Sequence, residues 1–270
     1  MNEQNKNLKI IVVSTKGGVG KSTISMQLVA PYLYQKNANC SIKYYECDDT
    51  NRDINSYGAT SIIQRSLIST ASPMLREELF NVCSQPESLC IDIGGNNTAK
   101  IILDALDESG AMHFIDVVLI PALDGEQDMI NAIDTYNYVK SINKNIKIIF
   151  VLNKVKEPAY VKEQFDHFFG DSRGVFSNFY SAHNYITQEE LELFITFSQN
   201  DVIRFSRRFG LSVFEIAKIK KEYLDDILHN SNPKVASFKH FMSRSTQKYH
   251  DDILEKSFTI IDRKLGVPHA

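Results

Sequence analysis

The chain has 270 residues, 43% of them hydrophobic, and a formal net charge of −3. That length can bury a real core in one large α/β domain, and no apolar run approaches the ~18 residues a membrane span requires. The polar stretch Met1 to Lys9 lacks the apolar centre of a signal peptide, so a cytoplasmic protein is expected.

Leu8 to Ser14 is a continuous apolar run, the pattern of a strand buried on both faces. Ser22 to Gln35 follows with helical spacing, and Ser41 to Glu46 reads as the next strand. Asn55 to Phe80 is expected to form two short helices, the second opening at Pro73. Leu89 to Ile93 and Ile115 to Ile120 are short buried strands, the latter closed by Pro121. Gly125 to Ile142 reads as a helix and Ile146 to Leu152 as a further strand. From Glu157 to Asn184 the periodicity weakens. A helix is expected near Ala159 to Phe169, then an irregular excursion, which makes residues 157–184 the candidate for a specialised insertion. Leu193 to Phe197 is the last expected strand. Helices are expected over Asp201 to Phe209, Val213 to Asn230 and Val235 to Leu265. Strands alternating with helices predict an α/β fold, a doubly wound, mostly parallel sheet flanked by helices. With no repeat, low-complexity tract or linker, one domain over 1–270 is expected.

The strongest chemical signal is Lys16-Gly17-Gly18-Val19-Gly20-Lys21-Ser22-Thr23, set between the first strand and the first helix. Glycines let the backbone curl so that successive N–H groups face phosphate oxygens, and the following helix adds its positive end. Lys21 is placed to reach the β- and γ-phosphates, Ser22 to ligate Mg²⁺, and Thr23 to bond the α-phosphate. The general phosphate-loop pattern has a glycine where Thr15 stands, and here an extra lysine, Lys16, follows it.

This KGGVGKST box resembles the deviant Walker A motif of the ParA/MinD ATPases, a P-loop NTPase family that includes partition ATPases, division-site regulators and VirC1-like conjugation proteins. The resemblance implies that Lys16 reaches across an ATP-sandwiched homodimer to the partner's phosphates. Glu46-Cys47-Asp48-Asp49 is similar to the family's first switch, with Asp48 where the water-orienting aspartate stands; Glu46 replaces the first aspartate and Asp49 a proline. Asp92-Ile93-Gly94-Gly95-Asn96 resembles the second switch, implying Asp92 as the outer Mg²⁺ ligand. Asn153 falls where the family reads the adenine edge. Lys156 occupies the place of the guanine-reading carboxylate, which favours ATP over GTP. Ile195 to Asp201, followed by Phe205 to Ala217, resembles the family's base-binding loop and succeeding helices, and this assigns Ser198 to the nucleotide. The implied site is thus Lys16, Lys21 and Asp48 for catalysis, Gly17 to Thr23 with Asn153 and Ser198 for ATP, and Ser22 and Asp92 for the metal.

Charge is unevenly spread. Arg204 to Lys221 holds six basic residues and one acid, and Lys234 to Lys248 four basic residues and no acid, leaving the rest of the chain at −12. Arg204, Arg207, Arg208, Lys218 and Lys221 are therefore candidates for nonspecific binding of double-stranded DNA, as partition members of the family do, within a basic helical third over 200–265. The resemblance also implies a ParB-like or relaxosome-type protein partner, a nucleoid-associated location and a role in partition or transfer of a plasmid or mobile element. The alternative is a MinD-like positioning ATPase, or a nucleotide-dependent scaffold that leaves DNA alone. The ending Gly266-Val267-Pro268-His269-Ala270 cannot form MinD's amphipathic membrane tail, so no membrane partner is expected. A dethiobiotin-synthetase-like ligase would share the fold, and an iron-protein-like electron carrier would need cysteines after the relevant strands. Cys83 and Cys90 precede or lie within one, and with Cys40 and Cys47 they read as free thiols.

Overall fold

A computed structural model of the chain describes residues 7–47, 53–171, 180–219 and 233–268. Seven strands form one parallel sheet: β1 Lys9–Val12, β2 Ile42–Cys47, β3 Ile63–Leu67, β4 Leu89–Ile93, β5 Val117–Ala122, β6 Lys147–Val155 and β7 Phe194–Ser198, in the order β3-β2-β4-β1-β5-β6-β7. The doubly wound parallel sheet predicted from the alternation is thus the fold observed. The chain leaves β1 toward β2, returns to β4 beside β1, and then crosses to β5 on β1's other side. Loops after β1 and β4 therefore meet at the carboxyl edge where strand order reverses, the position where open α/β sheets carry their ligands.

Both faces are covered, which is why the central strands are continuously apolar. Ile11, Ile91 and Val118 point to one face; Ile10, Val12 and Leu119 point to the other, all fully buried. Over the first face lie helices α2 (Leu75–Ser84), α3 (Asn97–Glu108) and α4 (Glu126–Ile142). Over the second lie the helix that follows β1 and the last helix of the chain. Between β7 and that last helix stand α5 (Asp201–Arg208) and α6 (Val213–Lys218). The last helix, α7, runs as Pro233–Tyr249, a π turn His250–Leu254, and Glu255–Leu265. The stripe Leu254, Phe258 and Ile261 is buried on the sheet, and Leu265 packs at its margin.

Helix α1 runs as Lys21–Ile24, a π turn Ser25–Val29, and Ala30–Lys36. Pro31 explains the interruption: it has no N–H to return to the turn before it, and a π turn absorbs the mismatch. That turn rotates Gln27 into full burial, where it meets polar partners.

Three expectations are corrected. Residues 55–80 do not form two helices alone. A 3₁₀ turn, Asp53–Tyr57, and α2 bracket the strand β3. Ile62, Ile63, Leu67 and Ile68 recur at helix-compatible spacing, but pairing with β2 along Ile42 to Glu46 decides the outcome. As an edge strand β3 has one paired side, and Gln64, Arg65, Ser66 and Leu67 are exposed. The single helix expected over 159–169 is broken into Val161–Gln164 and Asp166–Phe169, because Phe165 and Phe168 both turn into the core. Strand β5 continues through Pro121; its pairing with β1 ends at Leu119, so the missing N–H disturbs no ladder on that side.

Candidate functional site

The loop from Thr15 to Gly20 joins the end of β1 to the start of α1. Gly18 and Gly20 adopt φ of +77° and +94°, values that glycine reaches without strain and that turn backbone N–H groups toward a common concavity. Gly20 is also required by space: a Cβ there would lie 2.2 Å from Asn153 Nδ2. Lys21 is 8% exposed, and its ammonium donates to the Lys16 carbonyl at 2.9 Å, so its side chain folds back across the loop.

Neighbouring elements brace this loop. The Thr15 N–H donates to Thr135 Oγ1 on α4 at 3.1 Å, and the Asn96 N–H after β4 donates to the Thr15 carbonyl at 2.7 Å. Gly95 lies so close that a Cβ would stand 3.0 Å from Gly17 Cα. From β6, Asn153 Nδ2 donates to the Val19 carbonyl at 2.7 Å, while Asn153 Oδ1 accepts from the Lys154 N–H at 2.8 Å. Asn153, expected to read the adenine edge, is 5% exposed and its side chain braces the phosphate loop.

At the end of β4, Asp92 is 3% exposed. Burial pushes its carboxyl up from the ordinary value; hydrogen bonds from Ser22 and Tyr44 and the nearby Lys21 ammonium oppose that shift. The Tyr44 hydroxyl donates to Asp92 Oδ2 at 3.0 Å. A buried carboxylate beside a serine hydroxyl is the donor set of a hard cation that takes its remaining ligands from phosphate and water. No group of three or more His, Cys, Asp or Glu that could hold a metal occurs among the described residues.

Lys16 behaves differently from Lys21. Its side chain is 35% accessible and pairs with Asp128 on α4 at 2.8 Å. The carboxylate end of the pair is only 15% accessible, so the ammonium is the more exposed of the two partners. Glu46 is 2% exposed and bonded to Arg65 of β3 at 3.0 Å, so the carboxylate in the place of the family's first aspartate is held by the edge strand. Asp48 and Lys221 lie outside the described residues.

Ser198 ends β7 with its hydroxyl buried and without a hydrogen-bond partner among the described residues, while its carbonyl accepts from Tyr249. On α5, Arg204 and Arg208 are exposed and flank Phe205, with ring-centroid distances of 5.0 and 5.4 Å. Lys218 lies 4.2 Å over the Phe214 ring, and partial burial lowers its pKa. Arg207, expected on the same basic face, turns inward: Nη2 donates to Thr23 Oγ1 at 2.6 Å and Nε to the Tyr57 hydroxyl at 3.0 Å. The i+3 spacing that groups Arg207 with Arg204 holds along the helix, but the side chain is drawn to partners far away in sequence. Thr135, Asp128, Tyr57 and Gln27 had no local signal to single them out: the first three meet the loop or its helix across long stretches of chain, and Gln27, on that helix, finds its partners in Tyr57, Ser206 and Val213.

No protein-family model matches the chain, and no curated protein matches it in sequence. Solved structures do match its fold. The ATP complex of Cyanothece McdA carrying D38A is 14% identical, with a TM-score of 0.51, and the match covers 98% of this chain and 99% of that one. The apo form of Cyanothece McdA is 14% identical at a TM-score of 0.52, covering 96% and 99%. A putative plasmid partition protein from Borrelia burgdorferi bound to AMPPNP is 13% identical at a TM-score of 0.46, covering 90% and 99%. The two McdA structures establish a shared P-loop fold over nearly the whole chain, the same fold that the KGGVGKST resemblance implies.

Proposed function

We propose that this chain is a deviant Walker A ATPase of the ParA/MinD family that binds Mg-ATP, dimerises around it, and binds DNA without sequence preference. One observation carries the reading: a glycine loop at the sheet's switch point presents one buried lysine, Lys21, and one partly exposed lysine, Lys16. Gly17 to Thr23 would hold the phosphates, and Ser22 with Asp92 would hold Mg²⁺. The fit rests on the positive-φ glycines and on the serine–aspartate donor pair. Bound Mg²⁺ supplies charge neutralisation at the phosphates.

Within the chain, Lys21 counters phosphate charge from a fixed position, and Lys16 exchanges Asp128 for the phosphates of the partner copy. Asp48 orients the attacking water. Ser198, whose hydroxyl has no hydrogen-bond partner among the described residues, is assigned to the nucleotide. Arg204, Arg208, Lys218 and Lys221 neutralise DNA phosphates, and hydrolysis releases the dimer from DNA. A ParB-like or relaxosome-type partner stimulates turnover, nucleoid DNA sets the location, and the process served is partition or transfer of a mobile element. The McdA likeness supports the nucleotide in this reading, since that protein was crystallised with ATP.

The test is a gel shift on nonspecific DNA with ADP, ATP and a slow ATP analogue at two salt concentrations. Retention is expected with ATP and the analogue, falling steeply as salt rises. Replacing Arg204 and Arg208 with alanine should weaken it without changing ATP affinity. Protein that takes up no adenine nucleotide with magnesium overturns the proposal; uptake with no DNA retention removes the DNA arm.

A further inference from the structure

Thr23, Gln27, Tyr57, Ser206 and Arg207 form one polar network between the phosphate-loop helix and α5. Arg207 bonds both Thr23 and Tyr57. Gln27, in the π turn, donates to the Tyr57 hydroxyl at 3.0 Å and to Ser206 Oγ at 3.2 Å, and accepts from the Val213 N–H at 2.8 Å. The guanidinium also lies 5.6 Å from the Tyr57 ring centre.

The bond to Thr23 has a directional consequence. Arginine has only donors, so the Thr23 hydroxyl must accept from it. A hydroxyl has one proton, and with a lone pair taken by a cation that proton is directed elsewhere and made a stronger donor. Thr23 closes the KGGVGKST box in the first turn of α1, so an oxygen of a phosphate held by that box would be an acceptor for its proton. We infer that Arg207 is a positioning residue of the nucleotide site, which sets Thr23 as a phosphate donor and ties the occupancy of that site to α5. This rests on the Mg-ATP reading above and adds to it an arginine that sequence grouped with the DNA face.

The experiment is a double-mutant cycle on ADP and ATP affinity, by titration calorimetry of full-length protein with Mg²⁺. Arg207→Gln and Thr23→Ala are each expected to weaken binding roughly tenfold, and the double variant no further than either single one. Arg207→Lys restores part of the loss, because an ammonium reaches Thr23 but not Tyr57 as well. Tyr57→Phe, which leaves the Arg207–Thr23 bond in place, stays within about twofold of wild type and serves as the variant that tests network packing alone. In the nucleotide-free state, hydrogen exchange in residues 201–209 should quicken in Arg207→Gln, with the melting transition still cooperative. Losses that simply add in the cycle, or Arg207→Gln binding at wild-type strength, overturn the inference. A wild type that takes up no nucleotide overturns the phosphate-site reading and the inference with it.

Discussion

Gly20→Ala tests the loop geometry most sharply. At φ +94° an alanine costs about 1–2 kcal/mol, since its Cβ crowds the following carbonyl in the left-handed region. That Cβ would also stand 2.2 Å from Asn153 Nδ2, so the amide must withdraw from the Val19 carbonyl. Val19 is 1% exposed, so the carbonyl it leaves is unsatisfied, at about 1–3 kcal/mol. The two terms together reach about 2–5 kcal/mol, or a melting temperature lower by roughly 5–15 °C in a chain of this size. Gly18→Ala is the internal control: its φ is +77° but nothing lies within 4 Å of its Cβ position, so it carries the first term alone. Scanning calorimetry of both variants, with Asn153→Ala and the Gly20→Ala/Asn153→Ala pair, separates the terms. The pair should fall short of the sum of its two single losses. If Gly20→Ala and Gly18→Ala melt together, the contact between Asn153 and the loop has no energetic weight, and the steric reasoning is refuted.

Lys16→Ala should keep nucleotide affinity and lose ATP-dependent dimerisation, read by light scattering on a sizing column; a dimer of normal mass in the variant would remove the cross-dimer role. Burial raises the pKa of Asp92, so ionising it opposes folding: the penalty is absent below the ordinary carboxylate value and complete above the raised one. Asp92→Asn is therefore expected to melt higher than wild type at pH 7 without nucleotide or magnesium, with the gap narrowing toward pH 4; a gap independent of pH contradicts the desolvation. Burial pushes the Cys83 thiol up to about 12, and Cys47 and Cys90 are also buried while Cys40 is exposed. Native protein should thus react with Ellman's reagent at one thiol, and denatured protein at all four.

What the sequence made legible was whatever consecutive residues carry. The loop, its lysines and the buried β1, β4 and β6 are each written in one short run, so motif and periodicity find them together. Strand β3 was not, because Ile62, Ile63, Leu67 and Ile68 satisfy a helical spacing as well as an extended one, and only pairing with β2 chooses. Asn153 stands where the motif puts it, and its amide braces the loop. Its position at the end of β6 is local information, whereas the Val19 carbonyl it meets is 134 residues away. Arg207 is the sharper case. Helical spacing puts it beside Arg204, and nothing local says that its guanidinium spans 184 residues of sequence to reach Thr23. Glu46, in the place of the first switch aspartate, is likewise held from a distance, by Arg65 of the strand that spacing did not reveal.

The distribution of these braces separates the two lysines by how each is held. Thr135 from α4, Asn96 after β4, Asn153 from β6 and Arg207 from α5 each fix the loop or its first helical turn through a hydrogen bond. A cradle held from four sides needs little ordering on binding, so a phosphate meets donors already in place. Lys21 belongs to that rigid set: it is buried, and its ammonium is bonded to the loop's own carbonyl. Lys16 is paired instead with Asp128 at 2.8 Å, and its side chain, 35% accessible, is the more exposed end of that pair. A cation that served its own chain's phosphates alone would gain from being fixed like Lys21. The proposed cross-dimer role of Lys16 requires the pair with Asp128 to open, and Lys16 is the more exposed of the loop's two lysines.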